Sequence, residues 1–198
     1  MSLHVALHLY GGFMLHPMYF LALEAQCTAF QIAFAELEDL LANKHRDIDL
    51  IWSRIFSLLT AGANISKFLW PSKPQAEMRG KLLREYLSVP VDSPLKDRSI
   101  RNDFEHFDER LDTFVTQERA NIFDGGVGPR AAFPCSESEL FRHFDPETWQ
   151  CIYQGRSYPL RPVIRAVITL REEIERTKYD MVMTRWADAM AREKAAEE

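Results

Sequence analysis

Cysteine is scarce in this chain of 198 residues: Cys27, Cys135 and Cys151 are odd in number and far apart. Such a set outlines no disulfide framework, and a reducing cytoplasm is the simplest compartment. There is no CxxC pair, and the spacings of His4, His8 and His16, or of Cys135, His143 and Cys151, match no zinc pattern. Neither a metal nor a cofactor is therefore expected. Long apolar runs are missing too, since His16 and Glu24 interrupt the best candidate, so no membrane span is expected. Positive charge is not in excess: 24 Lys+Arg against 29 Asp+Glu leave a formal charge of −5. This excludes a generally basic nucleic-acid coat while leaving room for a local basic patch. Residues 3–15 lack the Lys/Arg-rich start and the cleavage site of a secretion signal. With Gly11-Gly12 and no clear periodicity, residues 1–15 read as a loose leader.

What is abundant is apolar. Hydrophobic residues make up 46% of the chain and aromatics 12%, enough for one domain with a sizeable core. From His16 to about Asn43, the apolar residues Phe20, Leu23, Cys27, Phe30, Phe34, Leu37 and Leu41 recur at three- and four-residue steps, as a buried helix face requires. A second helix is predicted from a cap at Asp47 or Asp49 to about Trp70, carrying Ile51, Ile55, Leu58 and Leu59. A third spans roughly 75–87, and Ser93-Pro94 is a cap and first-turn pair for a fourth, from about Pro94 to Arg119. Phe123 to Arg130 is a Gly-rich loop without the Lys-Ser/Thr of a phosphate-binding loop. Phe141–Phe144 and Trp149–Tyr153 read as strands, with turns at Asp145-Pro146-Glu147 and Gln154-Gly155-Arg156. A last helix begins near Leu160 or Pro162 with Ile164, Val167, Ile168, Leu170 and Ile174, and residues 191–198 read as its frayed end. The expected fold is mostly α: a helical bundle of four to five helices over residues 16–190, with a small β-hairpin insert at about 140–158.

The fourth helix concentrates the polar groups. On a wheel at about 100° per residue, Ile100, Phe104, Phe107, Leu111 and Phe114 fall within an arc of about 80°, predicting one core face. Arg98, Arg101, Asn102, Glu105, His106 and Glu109 lie on the other side, within about 140°. Asn102 and His106 are one turn apart, as are Arg101 and Glu105.

Arg101-Asn102-Asp103-Phe104-Glu105-His106 resembles the Arg-polar-x-x-x-His signature of HEPN domains, helical modules of bacterial toxins, defence systems and RNA-guided RNA nucleases. The wider stretch 98–112 is similar to that of uncharacterised bacterial HEPN-type proteins, whereas segment 140–158 falls outside the resemblance. The resemblance implies a metal-independent endoribonuclease or RNA-binding module, with Arg101 and His106 as catalytic pair, Asn102 in support, and a homodimer with the site at its interface. It also leaves a toxin held by a cognate antitoxin chain, or a non-catalytic dimerisation and interaction module. The chemistry is consistent with the residue types. An imidazole titrating near pH 6.5 can take the proton of an RNA 2′-hydroxyl or protonate the leaving 5′-oxygen, giving a 2′,3′-cyclic phosphate. A guanidinium can clamp the phosphate as its charge builds.

Charge is unevenly spread around this helix. Residues 67–101 hold eight Lys/Arg and four acids, a basic strip from which Arg84, Lys96 and Arg98 are candidate phosphate contacts. Asp103, Glu105, Asp108, Glu109 and Asp112 crowd the other end with negative charge.

Overall fold

The computed structural model describes residues 15–43, 47–117 and 121–197; the side chains of Ile100, Arg101, Phe104, Arg185, Asp188 and 193–197 lie outside that description. The expected leader therefore lies outside it apart from Leu15, which is buried. The chain is mostly helical, with a small sheet before the last helix.

Helix α1 (Met18–Ala42) starts directly after Pro17, whose carbonyl accepts from Phe20 and Leu21. Helix α2 (Ile48–Leu69) starts at Asp47, which caps it by accepting from the Leu50 N–H at 3.0 Å. The two run antiparallel, as three pairings across them show: Asn64 donates to Gln26, Gly62 abuts Phe30, and Arg54 pairs with Glu36. Between them, Phe20, Leu23, Cys27, Phe30 and Leu37 meet Ile51, Ile55, Leu58 and Ile65, all buried. Burial pushes the Cys27 thiol up to about 12, so it packs as an inert apolar group.

A 3₁₀ turn (Pro74–Ala76) leads into α3 (Glu77–Tyr86), which closes over the end of α2. Gly80 is required there: a Cβ would collide with the Pro71 ring and come within 2.8 Å of the Leu69 carbonyl oxygen. Ser93 accepts from the Leu95 N–H and opens a second 3₁₀ turn, Pro94–Lys96.

The expected single helix from Pro94 to Arg119 is instead broken. After that turn come α4 (Ser99–Glu105) and α5 (Phe107–Val115), joined at His106, whose φ of −102° and ψ of 37° are not helical. A straight-helix wheel cannot hold across such a joint: of the expected core face, Ile100 and Phe104 lie outside the described side chains, and the other three do not share one environment. Phe107 is 57% and Leu111 38% exposed, whereas Phe114 is buried and so is Asp103.

The expected hairpin grows into a four-stranded sheet, β1 (Gly126–Val127), β2 (Arg142–Asp145), β3 (Gln150–Tyr153) and β4 (Arg156–Pro159), in that order. β1 is parallel to β2 and comes from the segment expected to be only a loop; the other pairs are antiparallel. Gln154 and Gly155, at φ 48° and 75°, make the two-residue turn between β3 and β4 that suits the twist of a hairpin. Asp145 shapes the other turn by accepting from the Glu147 and Thr148 N–H groups. Phe144 and Cys151 enter the main core, and Trp149 packs on Phe34 at 5.3 Å between ring centres.

β4 runs straight into α6 (Leu160–Glu197). Ile164, Val167, Leu170 and Ile174 are buried, but Ile168 is 39% exposed because it lies off that row. Glu24 of α1 pairs with Arg171 at 3.3 Å and with Lys178 at 2.5 Å, so α6 lies along α1.

Gly80→Ala, ordinarily worth up to about 1 kcal/mol to a helix, is expected here to destabilise by about 1–3 kcal/mol through overpacking. The urea midpoint of the variant checks the sign.

Candidate functional site

The motif segment is braced from beneath by one carboxylate. Asp103 accepts from the Tyr158 hydroxyl at 2.6 Å and faces Arg156 and Arg110, each at 3.3 Å. Burial, followed by the bond to Asp103, pushes Tyr158 up to about 12, so it remains a donor throughout the physiological range. The β3–β4 turn adds a second tie, as the Gln154 side-chain amide donates to the Arg110 carbonyl at 2.8 Å. The third is apolar: Phe114 packs on Phe141, and Phe141 on Tyr153, at 5.0 and 5.2 Å between ring centres. The sheet is thus the seat on which α4 and α5 are set.

This seat turns the joint at His106 outward. His106 is exposed, with Glu109 the nearest carboxylate at 3.8 Å, and Asn102 is exposed one turn earlier. The backbone keeps them in register, since the His106 N–H donates to the Asn102 carbonyl at 3.1 Å. Arg101 directly precedes Asn102 in the chain, and its side chain is outside the described set. Lys96 and Arg98 lie just upstream, Lys96 exposed and Arg98 half-buried at the start of α4.

Arg84 sits elsewhere. Its guanidinium donates to the Leu69 carbonyl and lies over the Trp70 ring, while Arg79 donates to the Lys67 carbonyl. Both satisfy carbonyls at the end of α2, where a cation is favoured. Phe107 shares a cavity wall with Phe56, about 20 Å along α2 from Leu69. Two members of the basic strip are therefore engaged far from the motif.

On the other side of His106 lies an apolar surface. Phe107, Leu111, Val115 and Ile122 are exposed and border a cavity of ≈ 450 Å³ floored by Phe56, Phe114 and Phe141. At its edge Arg142 holds Asp124 through two bonds of 2.7 Å and lies over the rings of Trp52 and Phe56. Trp52 in turn donates its indole N–H to the Gly125 carbonyl at 2.9 Å.

Asp103, Tyr158, Asp124 and Arg142 are groups that reading along the chain did not single out. Trp52, Asp124 and Arg142 are far apart in sequence and carry no local signal. Asp103 does carry one: on the wheel it falls about 20° from Phe114, at the edge of the apolar arc. An acid in that position points to a buried pair.

His143 is a further buried ionisable group. Its ring stacks edge-on against Phe133 at 4.5 Å, and neither ring nitrogen has a hydrogen-bond partner. Burial, then the charge of Arg130, holds its pKa below the usual histidine value. Among the described residues no group of three or more His, Cys, Asp or Glu could hold a metal, and no helix is long and apolar enough to cross a membrane. Family models, curated proteins and solved structures give no match to the chain.

Two predictions follow from the buried charges. Asp103→Ala leaves Tyr158 and two guanidiniums without their acceptor and is expected to cost about 3 kcal/mol, with Asp103→Asn costing less because it keeps an acceptor for Tyr158. Denaturant unfolding measures both. A histidine depressed in the folded state leaves stability flat above about pH 6.5, where both states are neutral. Below that the unfolded chain takes up the proton first, so stability falls, by at most about 1.4 kcal/mol per pH unit, until the folded-state pKa is reached. Melting temperatures from pH 8 to 5 should show this slope, and His143→Leu should flatten it.

Proposed function

We propose that the protein is a HEPN-like module of helical-bundle type that acts on RNA as a metal-independent endoribonuclease. His106 is the proton-transfer group, Arg101 the phosphate clamp, Asn102 the supporting amide, and Lys96 and Arg98 the flanking phosphate contacts. The observation that carries the reading is the exposed imidazole at a helix joint, one turn from an exposed amide, on a segment fixed from below by Asp103. A residue placed for packing would be covered; His106 instead faces outward from a rigid seat. By the HEPN resemblance, a second copy brings its own Arg101 and His106 to the site.

The second reading is an interaction module without chemistry, docked by the same face onto a partner chain, a cognate antitoxin included. The exposed Phe107, Leu111 and Val115 beside His106 favour it, as do Glu105, Asp108, Glu109 and Asp112, which repel a phosphate backbone.

Labelled RNA incubated with the protein in excess EDTA separates the two. Ribonuclease action predicts cleavage to 2′,3′-cyclic phosphate and 5′-hydroxyl ends, lowered 10²–10⁴-fold by His106→Ala. Equal cleavage by the two proteins would remove His106 from the mechanism. No cleavage by the folded wild type would leave the interaction module.

A further inference from the structure

Helix α6 has two apolar faces. Val167, Leu170, Ile174 and Thr177 form the buried row, and Met181 continues it against the core. Tyr179, Met183, Trp186 and Met190 form a second row about 160° around the helix from the first. These four are 64%, 42%, 60% and 49% exposed, and Val182 beside them is 64% exposed. The second row points away from the body that the first row packs against.

Its spacing is specific. Steps of four, three and four residues are those of a coiled-coil seam, with Tyr179 and Trp186 at one core position and Met183 and Met190 at the other. The helix is also long enough to present this seam. It has 38 residues against 25 in α1, and because Lys178 already reaches Glu24, the part beyond about residue 184 runs past the start of α1 at Met18.

We infer that residues 179–190 of α6 pair antiparallel with the same residues of a second copy of this chain. In this register Tyr179 meets Met190 and Met183 meets Trp186, so all four seam positions are filled by one two-fold axis between residues 184 and 185. Val182 then flanks Ala189, a small residue that lets the helices approach. The charges select this direction. A parallel pair would set Arg176 against its own copy on the seam and Glu175 beside Asp180 across it, all like charges. The antiparallel pair separates them, and because the seam row faces away from the body, each tail lies on the side of the partner's α6 opposite that partner's core. The five apolar side chains expose on the order of 600 Å² per copy, which brings the pair to the lower range of stable interfaces.

This surface is distinct from the motif face, and the inference does not rest on the function proposed above. Sedimentation velocity at micromolar concentration tests it with the full chain. The double variant Met183→Glu/Trp186→Glu is expected to have half the wild-type mass, down to the 23.0 kDa of one chain if this is the sole contact. Its helicity and melting should otherwise follow the body, because these side chains face away from it. His106→Ala should leave the mass unchanged, so failure here and failure of the ribonuclease reading are told apart. In a Cys135→Ser background, Met183→Cys and Trp186→Cys proteins should cross-link to each other more than to themselves; the reverse would mean a parallel pair. An unchanged mass in the double variant would overturn the inference. A wild-type monomer would overturn it too, and lowered melting of the variant in that case would mean that another part of the same chain covers the row.

Discussion

A carboxylate taken out of water must be met by hydrogen-bond donors, or its burial is costly. Asp103 is such a group, and its three donors come from two elements: Tyr158 and Arg156 on β4, and Arg110 one turn beyond the joint at His106. That requirement links the segment 99–115 to the sheet, and through β4 to the start of α6. A straight helix would place Phe107 and Leu111 on the same side as Phe114 and Asp103; the backbone departs from helical geometry at His106, and Phe114 and Asp103 are buried while Phe107 and Leu111 are exposed. The exposed imidazole and the exposed apolar surface beside it both lie on the segment that this polar anchor ties to the sheet.

The sheet's size makes sense in the same terms. Two strands alone are marginal in water. Here β1 extends one edge and β4 the other, and the inner face is covered by the α1–α2 pair through Phe144, Cys151 and Trp149. Arg142 and Asp124 then hold the loop that supplies β1 against Trp52 of α2. The sheet that grows from the hairpin segment is therefore what positions the segment carrying Asn102 and His106.

The large helices were legible because their burial is periodic. Phe20, Leu23, Cys27, Phe30 and Leu37 repeat at helical steps, and Asp47 marks the start of α2 with a side chain suited to capping. The strands were legible from their turns, since Gln154-Gly155 admits a tight hairpin. What could not be read was the segment around His106, because a wheel assumes a straight axis and the bonds of Tyr158 and Arg156 to Asp103 join residues more than fifty positions apart. The destination of Arg84 was hidden for a related reason. A basic residue in a basic stretch looks available to phosphate, yet the carbonyls at the end of α2 need a donor, and Arg84 is within reach of them.

Charge is laid out along the motif segment as a dipole, with Lys96, Arg98 and Arg101 at one end, Glu105, Asp108, Glu109 and Asp112 at the other, and His106 close to the changeover. A single copy offers an approaching phosphate both attraction and repulsion within about one Debye length, so the near-field balance depends on what else is close. Two such segments facing each other antiparallel would set the basic end of one against the acidic end of the other. Pairing of that kind neutralises the carboxylates around each imidazole, which is the change a phosphate-binding site there requires. It also satisfies the same charges without any RNA, as a plain interface would. Under either reading of the motif face, this layout is what a second copy facing it would have to meet. Ribonuclease action asks one thing more of it: that the guanidiniums, once beside the opposing carboxylates, still reach the phosphate as its charge builds.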